Sequence, residues 1–433
     1  MGGDTVTGTE ASGDIDRNRA GVVTGRPSAR DPRIGDRPPG LKGHASDFVL
    51  RLRSGELGWV PGVCAVIVIW TTFQLLDHHF LSPRNLSNLS VDIVGTGLIA
   101  VGLVFVLLLG EIDLSVGAVS GLAAAVFAVL NVNSGMPEWL AVATAALVGA
   151  GIGALQGFFF ARIGVPAFVV TLAGLLVWNG LMLYVLGANG TINLHANGLV
   201  SVLTERYFHN RAVAYGLAAV GAAAYFLASY HDERRRRAAR VSSRSLGEIA
   251  VRTGAVAVIG FAAAYVLNRF EGLPLALLIF LVSVVGLDFV LRRTRYGRKI
   301  FAIGGGAEAA RLAGVNVVWI RVSAFAVSGT LAAFGGLFLA SRVASVGQTS
   351  GSTNLLIDAI AAAVIGGVSL FGGRGTPWSA LLGVLVVQSI ASGMVLIGVQ
   401  TSVQSMITGG VLLAAVVLDS LSRHSRKSHG VVL

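Results

Sequence analysis

The stretch VDIVGTGLIAVGLVFVLLLG, residues 91–110, decides the fold class of this chain. Its single charged residue is Asp92, and about 20 apolar residues are the length that a helix needs to cross a bilayer. Eleven more such segments make twelve, so we predict an all-α polytopic membrane protein with about twelve membrane-spanning helices, some broken or half-spanning. The eleven lie near 57–76, 114–131, 138–160, 165–186, 211–230, 250–268, 272–291, 320–340, 355–371, 376–397 and 402–420.

The composition supports this fold class and removes several functions. Hydrophobic residues make up 54% of the chain and charged residues 13%, whereas a soluble domain carries about 25% charged residues. The single cysteine, Cys64, excludes disulfide frameworks, thiolate zinc sites and iron–sulfur clusters. None of the eight histidines falls in a predicted span, which excludes intramembrane haem ligation and a histidine proton relay. We therefore predict no metal site.

The basic residues indicate the orientation in the membrane. With the N-terminus in the cytoplasm, 28 of the 33 Lys and Arg residues lie on the inner side, as cytoplasmic loops require. The net charge of +11 is thus a result of topology, and we expect no nucleic-acid partner. The domains that follow are a disordered cytoplasmic tail (1–56), a membrane domain (57–421) with cytoplasmic loops at 231–252 and 292–320, and a basic cytoplasmic tail (422–433).

The chain lacks the pattern of an ATPase. Its only lysines are Lys42, Lys299 and Lys427, and none follows a glycine, so a phosphate-binding G-x-x-x-x-G-K-[ST] loop is absent. The glycines at 304–306 do not form a dinucleotide fingerprint either. We predict no catalytic residues and no enzyme activity. If transport is driven by ATP, another subunit hydrolyses it.

Two polar stretches interrupt the apolar segments. In LLLGEIDLSVGAVSGL (107–122), Asp113 has the position of a helix N-cap. The alternative is that this broken-helix junction, with Glu111 and Ser115, lines a transport path. In LLIDAIAAAVIGGVSLFGG (355–373), we expect Asp358 to complement a helix N-terminus.

A third stretch, GRKIFAIGGGAEAARLAGVNV (297–317), lies in the long loop 292–320. The segment AEAARLA (307–313) predicts a helix of about two turns that a glycine turn starts and Gly314 stops. Glu308 and Arg311 have the i,i+3 spacing of a helical ion pair, and a face of small alanines would suit a shallow groove. A plain linker is the alternative, but a linker needs neither the turn nor the helix.

The polar segment 188–208 is the longest one on the outer side. It is compatible with an extracellular partner and equally with an ordinary loop.

These motifs occur together in a known family. EIDLSVG (111–117), VTLAG (170–174), RYGRKIFAIGG with EAARLAGVNV (295–317) and LIDAIAAAVIGGVSLFGG (356–373) resemble the permease subunits of bacterial ABC monosaccharide importers of the ribose, xylose and galactose type. The resemblance covers about residues 57–420. It is greatest to the xylose-type members, which share LSPRNLSNL (81–89), Glu111 and an extra pair of spans around 231–252.

The resemblance implies a function and partners. It implies a ten-helix core plus the extra pair, in the bacterial cell membrane with both termini cytoplasmic. The chain would be the permease of an ATP-driven importer of D-xylose or a related sugar. Its partners would be a second permease copy, a cytoplasmic ATPase subunit that holds ATP and Mg, an extracytoplasmic sugar-binding protein and membrane lipid, and no cofactor would lie in this chain. An ABC permease for another small polar solute and a self-sufficient secondary carrier are the alternatives.

The resemblance also assigns residues. It implies a loop that couples to the ATPase, with Gly297, Arg298, Gly304, Gly305, Glu308, Ala309, Ala310, Arg311 and Gly314. The residue patterns described above give a second group, a translocation path or set of helix caps, with Glu111, Asp113, Ser115 and Asp358. Members of the family usually have Asn at the position of Gly306. If that residue caps the coupling helix, Gly costs only a few tenths of a kcal/mol there.

Overall fold

The computed structural model describes residues 60–188, 190–238 and 246–428. The predicted tail 1–56 lies outside the described residues, as do 239–245 of the predicted loop and 429–433 of the predicted C-terminal tail. Fourteen helices form the described part. They are α1 (Val60–Leu76), α2 (Pro83–Leu108), α3 (Val116–Ala128), α4 (Glu138–Phe158), α5 (Ala167–Leu186), α6 (Arg211–Ala238), α7 (Leu246–Asn268), α8 (Leu275–Arg293), α9 (Arg295–Gly305), α10 (Ala307–Leu312), α11 (Val317–Val343), α12 (Thr353–Ile365), α13 (Pro377–Leu396) and α14 (Thr401–Ser428).

The predicted fold class is confirmed. Each of the twelve apolar segments coincides with one of these helices, and nine helices among the described residues have the length and composition to cross a membrane. α3 has 13 residues and reaches that length only because the π-helical turn Val129–Asn133 continues it. A second π-helical turn, Phe159–Ile163, extends the 21-residue α4. α12 has 13 residues, about 20 Å of helix, which is too short for a hydrocarbon core of about 30 Å.

Several boundaries differ from the sequence prediction. The loop predicted at 231–252 is helical where it is described, because α6 continues to Ala238 and α7 starts at Leu246. The loop predicted at 292–320 contains a helix that was not expected, α9. α2 begins at Pro83 because the Ser82 hydroxyl accepts a hydrogen bond from Asn85 N and proline suits the first helical position. α14 continues past residue 421 to Ser428.

The core of the molecule is centred on α2, α3 and α11, and buried faces of α4, α12 and α13 pack around them. In the most apolar 18-residue window of α2, 94% of the residues are buried. α11 packs against α4 where Gly149 and Gly329 face each other, and a Cβ on either glycine would collide with the carbonyl of the other. Small residues therefore bring these two backbones together, as in other membrane helix pairs.

Two helices lie outside this core. α6 and α7 pack mainly against each other, and only 11% of the most apolar window of either helix is buried. The strand before α6, β2 (Tyr207–Phe208), pairs antiparallel with the strand after α7, β3 (Leu273–Pro274), and this pairing joins the two ends of the helix pair. At the other end of α6, both guanidinium NH₂ groups of Arg293 donate to the Asp232 carboxylate at 2.9 Å.

The two ends of the bundle carry different structures. At one end, β1 (Thr191–Asn193) pairs antiparallel with β4 (Ser345–Gly347), and Thr204 N donates to Ser341 Oγ at 3.2 Å. These contacts attach the 188–208 segment to the C-terminus of α11. The opposite end, the α9–α10 end, carries α9, α10, the C-terminus of α2 and residues 372–373.

Candidate functional site

α9 attaches the predicted coupling loop to the bundle. Thr294 caps its N-terminus by accepting a hydrogen bond from Gly297 N at 3.3 Å. Gly297 is buried against the end of α8, and a side chain there would collide with the Leu291 backbone. Ile300 and Ile303 are also buried, so one face of α9 packs on the core. Sequence analysis missed this helix, although Tyr296, Ile300 and Ile303 have the apolar spacing that indicates it.

Gly304 marks a meeting point of three backbone segments. A Cβ on this residue would collide with the Leu108 carbonyl at the end of α2 and would lie 2.6 Å from Gly373 N. Gly373 N donates to that same Leu108 carbonyl at 2.9 Å. By contrast, a Cβ added to Gly305 would meet no atom within 4 Å, so the neighbouring residues leave space for a side chain there.

α10 has the predicted form. It spans Ala307–Leu312, follows the extended Gly306 and ends before Gly314, whose φ is +80°. Arg311 Nη2 donates to Glu308 Oε1 at 2.6 Å, and this hydrogen bond and charge hold the pKa of Glu308 below its usual range.

The alanine face of α10 is divided between the core and the surface. Ala310 is buried in the core, whereas Ala309, Glu308 and Arg311 are exposed. A groove that accepts α10 would therefore contact Ala309, while Ala310 fixes the helix to its own protein. Arg298 is exposed on α9 and forms no ion pair within the described residues.

Two large apolar side chains extend this surface. Leu312 is 80% exposed at the end of α10, and Trp319 is 63% exposed in the first turn of α11. Neither residue could be predicted to be exposed, because in so apolar a chain a leucine or tryptophan carries no local signal of exposure. Leu312 lies on the helix that carries the ion pair, whereas Trp319, in the first turn of a membrane-spanning helix, has the position of an aromatic residue at the membrane–water interface.

The α2–α3 junction differs from the prediction in its capping. Ser115, not Asp113, occupies the N-cap position of α3. Asp113 lies two residues earlier and is 2% exposed, and its Oδ1 accepts hydrogen bonds from Ser115 N at 2.9 Å and Ser115 Oγ at 2.7 Å. Burial raises the pKa of Asp113, and the two hydrogen bonds from Ser115 partly offset that rise.

Side chains from α4 and α5 complete this junction. Gln156 Oε1 lies 3.0 Å from Ser115 Oγ, and Thr171 Oγ1 lies 3.4 Å from the Ile112 carbonyl. Gln156 and Thr171 are buried, and sequence analysis missed both. Gln156 Nε2 and Trp178 Nε1 are buried without hydrogen-bond partners, and both face Gly174.

Glu111 belongs to the same junction and lies two residues before Asp113. Its Oε1 is 3.5 Å from Arg321 Nη2 in α11, and the two side chains are 22% and 23% exposed. The Arg321 guanidinium also lies over the Phe160 ring, 4.6 Å from its centroid. Desolvation raises the pKa of Glu111, and the Arg321 charge opposes that rise.

Asp358 does not complement a helix N-terminus. α12 begins at Thr353, so Asp358 lies in its second turn, and the first turn contains no acidic residue. The expectation was wrong because three polar residues before Leu355 extend the helix further than the apolar pattern indicates. The side chain is half-buried, and within the described residues no hydrogen bond or ion pair engages it.

The predicted site residues thus form separate groups. Gly297, Gly304 and α10 belong to the α9–α10 end, Glu111, Asp113 and Ser115 to the α2–α3 junction, and Asp358 to α12. The part of the chain that the structure describes has no group of three or more His, Cys, Asp or Glu side chains able to hold a metal ion.

Comparison with known proteins gives a consistent family. A family described as "Branched-chain amino acid transport system / permease component" matches residues 85–416. The xylose transport system permease protein of Escherichia coli (strain K12) is 36% identical over 377 residues, 86% of this chain and 94% of that protein. The L-arabinose ABC transporter permease protein of Azospirillum brasilense is 31% identical, covering 84% of this chain and 88% of that protein.

The ribose import permease protein of Bacillus subtilis (strain 168) is also 31% identical, over 84% of this chain and 92% of that protein. No solved structure matches the chain. The expected resemblance to sugar permeases, including those of the xylose type, is confirmed. The chain therefore belongs to this family of membrane-spanning transport permeases, whose members named above are permeases of xylose, arabinose and ribose transport systems.

Proposed function

We propose that this protein is the membrane-spanning permease subunit of an ATP-driven importer for a monosaccharide, D-xylose or a closely related sugar. The observation that carries the proposal is the 36% identity to a xylose permease along 94% of that protein's length. An extracytoplasmic binding protein delivers the sugar and supplies most of the selectivity. A neutral sugar needs hydrogen bonds and little charge, which is consistent with the apolar helices of this chain.

The charge distribution supports an orientation. With 28 of the 33 Lys and Arg residues on one side, the α9–α10 end faces the bacterial cytoplasm and the 188–208 segment faces outward. Both termini, with the tails 1–56 and 422–433, are then cytoplasmic.

The exposed part of α10 is the contact for a separate ATPase subunit. Glu308, Ala309 and Leu312 project from the α9–α10 end, and we propose that they enter a cleft of that subunit. ATP and Mg bind to the ATPase, and this chain has no enzyme activity of its own. Two permease copies assemble around the sugar path, with Asp113, Ser115 and Asp358 as path or junction residues.

The first experiment reconstitutes the chain in proteoliposomes with its ATPase and binding protein. ATP-dependent accumulation of xylose is the expected result. Accumulation of leucine instead would favour the amino-acid cargo that the family description names. Proton-driven sugar flux by this chain alone would contradict the proposal in favour of a secondary carrier.

A second experiment tests the contact with the ATPase. Ala309→Trp adds bulk to the exposed face of α10, and we expect it to abolish co-purification of the ATPase and ATP-dependent uptake. Ala196→Trp adds the same bulk to an exposed position of the 188–208 segment and should leave co-purification unchanged. If the Ala309→Trp variant binds the ATPase as well as the wild type does, α10 is not part of the interface.

A further inference from the structure

The ion pair between Glu111 and Arg321 joins two elements that are distant in sequence. One is the non-helical segment 109–115 between α2 and α3, and the other is the start of α11. This pair lies apart from the exposed surface of α10. Arg321 was not among the residues that the sequence singled out.

The Arg321 end of this pair is firmly connected to α9 and α10. Val315 N donates to the Ala310 carbonyl at 3.1 Å, which closes the short connection between α10 and α11. Tyr296 Oη of α9 lies 3.0 Å from Ser323 Oγ, two residues after Arg321. A displacement of α9 and α10 therefore moves the first turns of α11 with it.

The Arg321 side chain is itself held in place. Its guanidinium lies over Phe160, which belongs to the π-helical turn that ends α4, and its Nε is buried without an acceptor. Glu111 is the carboxylate that faces this cation. A half-buried cation loses most of its hydration. The Glu111 carboxylate therefore has more influence on the position of the Arg321 side chain than a carboxylate in an exposed pair would have.

The Glu111 end, by contrast, belongs to a segment with little regular structure. Residues 111–115 are not helical, and Glu111 N makes a long backbone hydrogen bond of 3.3 Å to Val106. Because the backbone at 111–114 is not part of a helix, this segment can shift without breaking i,i+4 hydrogen bonds. The buried end of this segment, Asp113 and Ser115, begins α3, so a shift at Glu111 changes the position of that helix start.

We propose that Glu111 and Arg321 form a positioning pair through which movement of α10 sets the position of the α2–α3 junction. The inference rests on the proposed function, because it requires a partner that moves α10. Neither residue contacts sugar or nucleotide in this role. Their contribution is to the ratio of sugar imported to ATP hydrolysed.

The test measures that ratio in the reconstituted complex of permease, ATPase and binding protein. Glu111→Gln keeps the shape of the side chain and removes its charge, and we expect it to lower the sugar-to-ATP ratio by about threefold. Arg321→Gln should act similarly. If the two residues act as a pair, the double variant is no worse than the more impaired single variant. If the loss of the sugar-to-ATP ratio in the double variant equals the product of the two single losses, the proposal is overturned.

A matched control is the Asp232–Arg293 pair. It also joins the ends of two helices, but it is more exposed and links the peripheral α6 to α8. Asp232→Asn should leave the sugar-to-ATP ratio unchanged, and an equal loss there would contradict a specific role for Glu111. A wild-type complex that accumulates no sugar would refute the proposed function. A Glu111→Gln variant with the wild-type ratio, in a complex that transports, would refute only this inference.

Discussion

The α4–α11 pair of the core and the α6–α7 hairpin are built from similarly apolar sequences but have different packing. α4, α6 and α11 have similar mean hydropathies of 1.6, 1.6 and 1.8 in their most apolar windows, yet 61% of that window is buried in α11 and 11% in α6. In the core, glycines bring backbones into contact, whereas Gly216, Gly221 and Gly254 of the hairpin have open space around them. Hydropathy places a helix in the membrane, and helix contacts decide whether it belongs to the core.

The largest effect is expected where two core helices touch. Gly329→Leu forces a side chain into the α4 backbone at Gly149, and we expect a loss of about 3 kcal/mol or more in stability. The measurement is thermal unfolding of the purified protein in detergent, with the yield of monodisperse protein as a second readout.

Gly254→Leu in α7 is the matched control for that substitution. Its Cβ meets no atom within 4 Å, so the melting temperature should stay near that of the wild type. Equal losses in the two variants would contradict the distinction between core and hairpin.

A smaller effect is expected where α9 meets the core. Gly304→Ala places a methyl group against the Leu108 carbonyl and should cost about 1–3 kcal/mol, with a matching decrease in coupled uptake. Gly305→Ala, one residue later, meets open space and should change stability by less than about 0.5 kcal/mol. Reversed effects in thermal unfolding would show that α9 docks through another face.

Removing the hairpin should have a still smaller effect on the core. Because Phe208 and Leu273 pair directly, a short Gly-Ser linker can replace residues 210–271 without separating those ends. The deletion loses the exposed Asp232–Arg293 pair, worth about 0–1 kcal/mol, and few core contacts. We expect insertion and ATP-dependent uptake to persist. If the deletion variant no longer yields monodisperse protein, the hairpin contributes to the stability of the core.

The smallest effect is expected at the N-cap of α10. The Cβ position of Gly306 has only Ala309 nearby, at 3.8 Å, so the Asn that is usual in the family fits without rearrangement. Gly306→Asn should stabilise the protein by a few tenths of a kcal/mol through a side-chain cap. A measurable loss of stability would show that the extended backbone at Gly306 depends on glycine.

Much of the fold could be predicted because its determinants are local. All twelve apolar segments became helices, and the glycines around AEAARLA marked the ends of α10. The helix α9 could have been predicted from Ile300 and Ile303, but the surrounding charges and glycines obscured their spacing. The start of α12 at Thr353 could not, because polar residues that begin a helix resemble a loop in hydropathy.

The candidate site was predictable to a lesser degree. Glu308 and Arg311 pair within one helix, so their spacing in the sequence was sufficient to identify the contact. The capping at Ser115 and the burial of Ala310 depend on what packs against them, and so do the partners Gln156 and Arg321. The coupling role of the loop stays a prediction.

By itself, the sequence determined that this chain is a polytopic helical membrane protein, because transfer of apolar residues into lipid depends on local composition. Its motifs indicated the permease family through their resemblance to known members. The tertiary structure alone decided which helices form the core and which carry exposed surface. It also decided that Glu111 faces Arg321 and that Gln156 reaches Ser115. The reason is physical: these contacts join residues far apart in the chain, and only helix packing brings them together.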